Sequence, residues 1–278
     1  MTILVMARLT FREAARRRIL LAALVLGLIY LVIYALGFYY VDQETTRSQF
    51  GPGLLELNQI RSFLFMAGLY VVNFLTSTMV VLTSVDTLSG EIASGTIHTL
   101  VSKPVQRWEI VLGKWLGFVG MLSLYLLLMA GGTIVLVYFI SDYLAPNVLR
   151  GLGLMWMNAV LLLGVSLAGG AVLSTLANGV MVFGMFGIAF VGGWIEQFGS
   201  YVQNQTAVNV GIVSSLLIPS EALWKRAAYE MQSPIVSALG ISPFTAASMP
   251  SLLMVIYGMI YAILALLLAV RLFSRRDL

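Results

Sequence analysis

The sequence predicts an all-α, polytopic membrane protein with six transmembrane helices. The chain of 278 residues is 60% hydrophobic and only 10% charged, whereas soluble domains carry about 25% charged residues. A bilayer-spanning helix needs roughly 20 apolar residues, and six stretches without Asp, Glu, Lys or Arg approach or exceed that length. They are residues 19–41, 62–85, 115–140, 152–176, 179–195 and 252–270.

The distribution of basic residues predicts the orientation of these spans. With six spans, 11 of the 16 Lys and Arg residues fall on the side that holds both termini. The positive-inside rule therefore places both termini in the cytoplasm of a cell that carries the protein in its inner or plasma membrane. The first apolar run is longer than a signal-peptide core, so we expect it to be retained as the first span.

Residues 2–18 predict a short basic amphipathic helix ahead of the first span. Three arginines share one face of it: Arg8, Arg12 and Arg16. Leu4, Phe11 and Ala15 fall on a different face. Such a helix suits the lipid headgroup layer. The alternative is an ordinary positive flank that only sets the topology, and the two interpretations are compatible.

The stretch 199–251 is predicted to lie outside and to form two short re-entrant or interfacial helices. Its apolar part, residues 208–218, is too short to span the bilayer. Pro219 and Ser220 then start a second helix, with Ser220 as its N-cap. Trp224 and Tyr229 in that helix suit a membrane interface.

The fourth and fifth spans are rich in small residues, which allow helices to approach closely in lipid. Ser166, Gly170 and Ser174 recur every four positions, and Gly184 and Gly187 follow, as do the paired glycines at 192–193. Packing within one bundle accounts for such residues, and a contact between two copies is the alternative.

The polar segment 86–114 separates the second and third spans. Residues 89–100 can form a short helix, with Ser89 as its N-cap and Glu91 in its first turn, where a negative charge complements the helix dipole. Gly95 would permit close approach by another surface. Pro104 ends this unit, because the residue before a proline is kept out of the helical region. Arg107 begins the next helix. This organisation is typical of a helix that lies under a membrane to meet a soluble partner.

The spacing within this segment resembles the cytoplasmic signature of ABC-2 type transporter permeases, E-x-x-x-G-T-(x3)-L-(x3)-P-(x2)-R-(x5)-G-K. All eight positions are present: Glu91, Gly95, Thr96, Leu100, Pro104, Arg107, Gly113 and Lys114. Six spans, an amphipathic N-terminal helix and a re-entrant pair before the last span are also similar to that family. The resemblance covers nearly the whole chain, which reads as one permease domain over residues 1–278.

The resemblance implies the permease subunit of an ABC transporter, working by alternating access or other conformational work, with export more expected than import. Two such subunits, identical or different, would pair with two cytosolic ATPase subunits that bind ATP and Mg²⁺, while this chain binds no cofactor. Residues 91–100 would be the coupling helix. The coupling residues would be Glu91, Gly95, Thr96, Leu100, Pro104 and Arg107. A helix cap without partner contact is the alternative role for Glu91. The second and fifth spans would line the path.

Other classes of function find less support in the sequence. No G-x-x-x-x-G-K-[ST] phosphate loop is present, so we expect no ATPase activity from this chain. We also expect no other enzymatic activity and no nucleic-acid partner. The chain has no cysteine, which excludes disulfides and thiolate metal sites. Its one histidine, His98, lies outside the spans. A self-contained channel or secondary carrier for an uncharged or amphipathic solute is the alternative function, although ion coupling usually needs ionisable groups within the membrane.

Overall fold

The computed structural model describes residues 2–47, 53–95, 106–232 and 249–276. Every regular element in these ranges is an α-helix. The helices are α1 (Thr2–Ala15), α2 (Arg18–Arg47), α3 (Leu54–Ser84), α4 (Ser89–Ala93), α5 (Arg107–Ser141), α6 (Val148–Gly170), α7 (Thr175–Tyr201), α8 (Gln205–Leu217), α9 (Ser220–Met231) and α10 (Leu252–Arg275).

Within the described ranges, six helices are long and apolar enough to cross a membrane, which confirms the predicted polytopic all-α fold. They are α2, the continuous run Leu57–Ala93 formed by α3 and α4, then α5, α6, α7 and α10. Most are longer than the apolar stretches of the sequence. Their ends carry charged and aromatic residues, because a helix continues past the hydrocarbon core into the headgroup layer.

The two central helices of the bundle are α3 and α6, which are the most buried of the six spans, while α2 and α10 are the least buried. Polar side chains join the central pair. The Asn158 amide of α6 donates to Asn73 Oδ1 and to Ser77 Oγ of α3, each at 3.3 Å. Further along the same two helices, Ser84 Oγ donates to Ser166 Oγ at 2.8 Å. These bonds satisfy polar groups that would be costly to leave alone at membrane depth.

The N-terminal helix α1 packs against the first turns of α5 rather than only lying in the headgroup layer. Met6, Thr10 and Ala14 form its buried face. Of the predicted face of Leu4, Phe11 and Ala15, only Phe11 packs against the bundle, whereas Ala15 is exposed and Leu4 is 73% exposed. The three arginines predicted for the interfacial face are exposed: Arg8, Arg12 and Arg16. Their contact with lipid stays a prediction.

Close approach between α1 and α5 depends on two glycines of α5. A Cβ atom placed on Gly117 would lie 2.7 Å from the carbonyl oxygen of Ala7, and one on Gly113 would collide with Met6. Gly113 and Gly117 are four residues apart and therefore share one face of α5. This G-x-x-x-G spacing is a local sequence signal for the docking of α1, and the sequence interpretation did not use it.

Two short helices precede the last span, as predicted. The pair α8 and α9 meets at a 106° bend, a broken span or a re-entrant loop. Helix α8 folds back along α7, and α9 packs against α6. The part of the predicted 199–251 segment beyond residue 232 lies outside the described residues until position 249.

Three site predictions for α9 meet different outcomes. Ser220 is not a cap: Pro219 holds the N-cap position without a side-chain cap, and its carbonyl accepts from Leu223 N at 3.0 Å. Trp224 is not an interface anchor within this chain, because α9 turns into the bundle and leaves Trp224 2% exposed against the ring of Tyr70. Tyr229 remains partly exposed beneath the guanidinium of Arg226.

A buried ion pair fastens α9 to α7. Lys225 Nζ donates to Glu196 Oε2 at 2.7 Å, and both side chains are less than 10% exposed. Glu196 follows the fifth apolar stretch of the sequence, and the longer observed helix brings it inside α7. A buried charge is tolerated only when it is paired, so this contact fixes the position of the bent pair.

The small residues of α6 and α7 divide into two groups. Ser166 and Gly170 pack within the bundle, with Gly170 lying against Asn178 and Leu88. Gly184 and Gly187 instead face open space, since a Cβ on either would meet nothing within 4 Å. The first group therefore serves packing within one bundle, and the second leaves a smooth face on α7.

Candidate coupling site

The base of the predicted coupling segment is a direct continuation of the second span. After α3 ends at Ser84, helical hydrogen bonds continue through the turn, with Gly90 N donating to Asp86 O at 2.8 Å. Helix α4 lasts five residues and ends at Ala93. Gly95 adopts φ 73°, a left-handed conformation that glycine reaches without steric cost and that commonly terminates helices. Gly95 therefore ends the helix.

The predicted N-cap Ser89 has a different role. The N-cap position is Leu88, without a side-chain cap bond. Ser89 Oγ instead donates back to Val85 O at 2.9 Å and lies 2.9 Å from Thr175 Oγ1 at the start of α7. Ser89 therefore ties the segment to a neighbouring span.

Glu91 forms a salt bridge with Lys114 of α5. The ammonium of Lys114 also donates to the carbonyl of Thr87 at 3.4 Å. Lys114 is 3% exposed, and the side chain of Glu91 is 18% exposed. The first and last charged positions of the signature therefore meet in space, and the acidic side chain that we expected to face a partner is turned towards the bundle.

A second ion pair fixes the same segment to the junction between α1 and α2. Arg17, which lies between these helices, pairs with Asp86 and also donates to Glu13 Oε1 at 2.9 Å. Burial alone would lower the pKa of the Arg17 guanidinium, but the hydrogen bonds and negative charges of Glu13 and Asp86 outweigh it and raise that pKa. Arg17 thus stays charged and holds both carboxylates.

A third contact joins the segment to α7. The Asn178 amide donates to the carbonyls of Val85 and of Ser166, each at 3.0 Å. Together with the Ser89–Thr175 contact, it connects residues 85–89 to the first turn of α7 and to α6. Residues 85–91 therefore make polar contacts with the α1–α2 junction, α5 and α7, and the Asn178 side chain links them to α6.

Arg107, at the start of α5, reaches the last turn of the final span. Its guanidinium donates to the carbonyls of Ser274 at 3.2 Å and of Arg276 at 2.5 Å. The Arg276 guanidinium in turn donates to Ala171 O, after α6, at 2.6 Å. Arg107 therefore links the far end of the coupling segment to α10 and, through Arg276, to the end of α6.

The family model described as ABC-2 family transporter protein matches residues 4–278. The chain belongs to that family. A comparison with curated proteins gives no significant match. ABC-2 family proteins are the membrane permease subunits of ABC transporters and work with an ATPase subunit. The predicted membership of the ABC-2 type permease family is thereby confirmed.

The ABC-2 structure brings part of the predicted coupling set together. Glu91, Gly95 and Arg107 lie at one end of the bundle, and Glu91 and Arg107 both bond to elements of the same chain. Thr96, Leu100 and Pro104 lie outside the described residues, so their role stays a prediction. The sequence interpretation named Lys114 as a position of the signature but did not predict its salt bridge with Glu91, nor the pair formed by Arg17 and Asp86.

Proposed function

We propose that this ABC-2 chain is the permease of an ATP-driven exporter, coupled to a cytosolic ATPase subunit through the segment 91–100. The observation that supports this most is the attachment of residues 85–91 to the α1–α2 junction, α5 and α7, and through Asn178 to α6. A displacement applied to the segment would move these parts of the bundle together, because packed helices shift as rigid elements.

The ATPase pair would provide the energy, with ATP and Mg²⁺ bound there and not on this chain. Both termini and the coupling segment lie on the cytoplasmic side of the cell membrane in this proposal. The excess of Lys and Arg on that side supports the orientation. Alternating access then arises when ATP binding to the partner moves the segment 91–100, and α5 and α7 tilt with it.

A second permease copy completes the transporter in this proposal. The face of α7 around Gly184 and Gly187 supports this, because a Cβ on either glycine meets no atom within 4 Å in the part of the chain that the structure describes, and small residues favour close helix contacts in lipid. Val180 and Val191 on the same helix are 67% and 55% exposed. The cargo path would then lie at the seam that α3 and α7 share with the partner copy.

The test is co-purification from native membranes in mild detergent, followed by mass spectrometry. We expect a stoichiometric cytosolic subunit that carries a nucleotide-binding loop. Gly95→Ala should reduce the recovery of that subunit several-fold. At φ 73° a residue with a Cβ is strained by about 1–3 kcal/mol, so the substitution should change the direction of the chain after residue 95. The matched control is Gly153→Ala in α6, where a Cβ meets open space.

A chain that purifies alone, or only with other membrane proteins, would contradict the ATPase partnership and favour a self-contained channel or carrier. Equal recovery of the ATPase with Gly95→Ala and Gly153→Ala would keep the partnership but remove Gly95 from the coupling site.

A further inference from the structure

A deep apolar groove runs along the outside of the bundle between α6, the turn after it, α7 and α10. Its volume is about 500 Å³, within the usual range for ligand pockets. Met181 and Met185 of α7 form one wall, and Leu264 and Leu268 of α10 form another. Methionine adapts its shape to a flexible occupant, and the lining offers almost no polar group to a polar solute.

The length of the groove matches one leaflet of a bilayer. On α10 the lining runs from Tyr261 to Leu272, which is about 16 Å at the helical rise of roughly 1.5 Å per residue. The hydrocarbon core is about 30 Å thick, so a single leaflet contributes about 15 Å. An acyl chain aligned with α10 would therefore fill the groove from the headgroup level to the bilayer centre.

Two arginines lie beside the C-terminal end of the groove on α10: Arg271 directly precedes the last lining residue, Leu272, and Arg275 follows it. Arg271 lies seven residues after Leu264, and Arg275 lies seven residues after Leu268, so both keep to the face of α10 that holds these leucines. Both are exposed. Neither takes part in a salt bridge among the residues that the structure describes. Their positive charge is therefore open to an outside anion at the headgroup end of the groove.

We propose that this groove is a binding site for an anionic phospholipid, with one acyl chain in the groove and the phosphate beside Arg271 and Arg275. Charge complementarity decides the occupant: a zwitterionic lipid would supply the same chain without the net negative charge that the two arginines attract. The site does not depend on the ATPase partnership, since it faces lipid on a single chain.

The test is native mass spectrometry of the purified, delipidated protein during titration with phosphatidylglycerol or with phosphatidylcholine of the same acyl chains. We expect tighter binding of phosphatidylglycerol. The double variant Arg271→Gln/Arg275→Gln should weaken it about 25-fold, from about fivefold per arginine near the membrane surface. Leu268→Trp should abolish it by filling the groove.

Two controls match these variants. Leu267→Trp adds the same bulk at a position that is 58% exposed and outside the lining, and Arg47→Gln removes one exposed charge from the end of α2. Neither should change binding. Equal binding of the two lipids, or an unchanged affinity in the arginine double variant, would overturn the proposal. A loss of dimers in Leu268→Trp without a loss of bound lipid would also overturn it and assign the groove to a second copy.

Discussion

Glu91 and Lys114 stand 23 positions apart in the sequence and form a salt bridge at the base of the cytoplasmic segment. Lys114 is almost fully buried, and among the described residues its ammonium is held by the Glu91 carboxylate and by the carbonyl of Thr87. The pair closes the two ends of the signature onto each other. Two positions of the signature thus form a salt bridge that ties α4 to α5.

Removing the charge of Glu91 should destabilise the protein and loosen the attachment of α4 to α5. Glu91→Gln leaves the buried Lys114 without a counter-charge, a change that costs about 3–5 kcal/mol for buried pairs. The thermal unfolding midpoint of the detergent-solubilised protein should fall accordingly. The exchanged pair Glu91→Lys/Lys114→Glu should recover a large part of the loss. The control is Glu44→Gln, at an exposed position, where no comparable shift is expected. No difference between the two glutamine variants would remove the pair from its structural role.

Docking of α1 should depend on Gly117. In Gly117→Ala the new Cβ would lie 2.7 Å from a backbone oxygen of α1, so the helices must separate at a cost of about 1–3 kcal/mol. The chain has no cysteine, so Ala14→Cys, buried at 1% exposure, reports this movement by maleimide labelling. Labelling should accelerate when Gly117→Ala is added. Adding Gly131→Ala, on the same helix but facing open space, should leave the rate unchanged; acceleration by both would point to a general loosening.

The orientation of the bundle can be read with two single-cysteine variants. Ala15→Cys lies at the end of α1, and Val202→Cys lies in the turn between α7 and α8, and both positions are exposed. A membrane-impermeant maleimide should label Val202→Cys in intact cells and Ala15→Cys only after permeabilisation, because the positive-inside rule places α1 in the cytoplasm. The reverse pattern would place the termini and the coupling segment outside.

The ion pair between α7 and α9 should contribute far more than a surface pair. Lys225→Met leaves Glu196 buried without its cation and should lower the free energy of unfolding by about 3–5 kcal/mol. Arg150→Met removes a cation that also faces a carboxylate, 3.7 Å away on Glu230, but from a side chain that is 74% exposed. That change should cost less than about 1 kcal/mol. Chemical denaturation in detergent compares the two, and similar losses would contradict the assignment.

The six spans could be predicted because a bilayer imposes a length and a charge limit that the sequence displays directly. The ends of the helices could not be predicted, because the apolar run stops at the hydrocarbon boundary while the hydrogen-bonded helix continues. For this reason α7 extends past its apolar run and includes Glu196. The burial of Trp224 was also beyond the sequence, since it follows from the 106° bend that turns α9 inwards.

The family could be recognised from the residue spacing in the polar segment, but the contacts of that segment could not be predicted. The spacing of Glu91, Gly95 and Arg107 identified the region and its family. The partner of Glu91 depends on how α4 meets α5, and that of Arg107 on where α10 ends, which are tertiary facts. The docking of α1 had a local signal in Gly113 and Gly117, because small residues four apart mark a close helix contact.

The packing of α1 on Gly113 and Gly117 sets an order of events during biosynthesis. The ribosome completes α1 about a hundred residues before it makes the surface that receives it. At roughly 5–20 residues per second, the new helix waits on the order of 5–20 s for its partner. Throughout that interval Met6 and Thr10 lack the α5 residues that they contact in the folded protein, and the exposed arginines can hold α1 at the bilayer surface beside its later docking place.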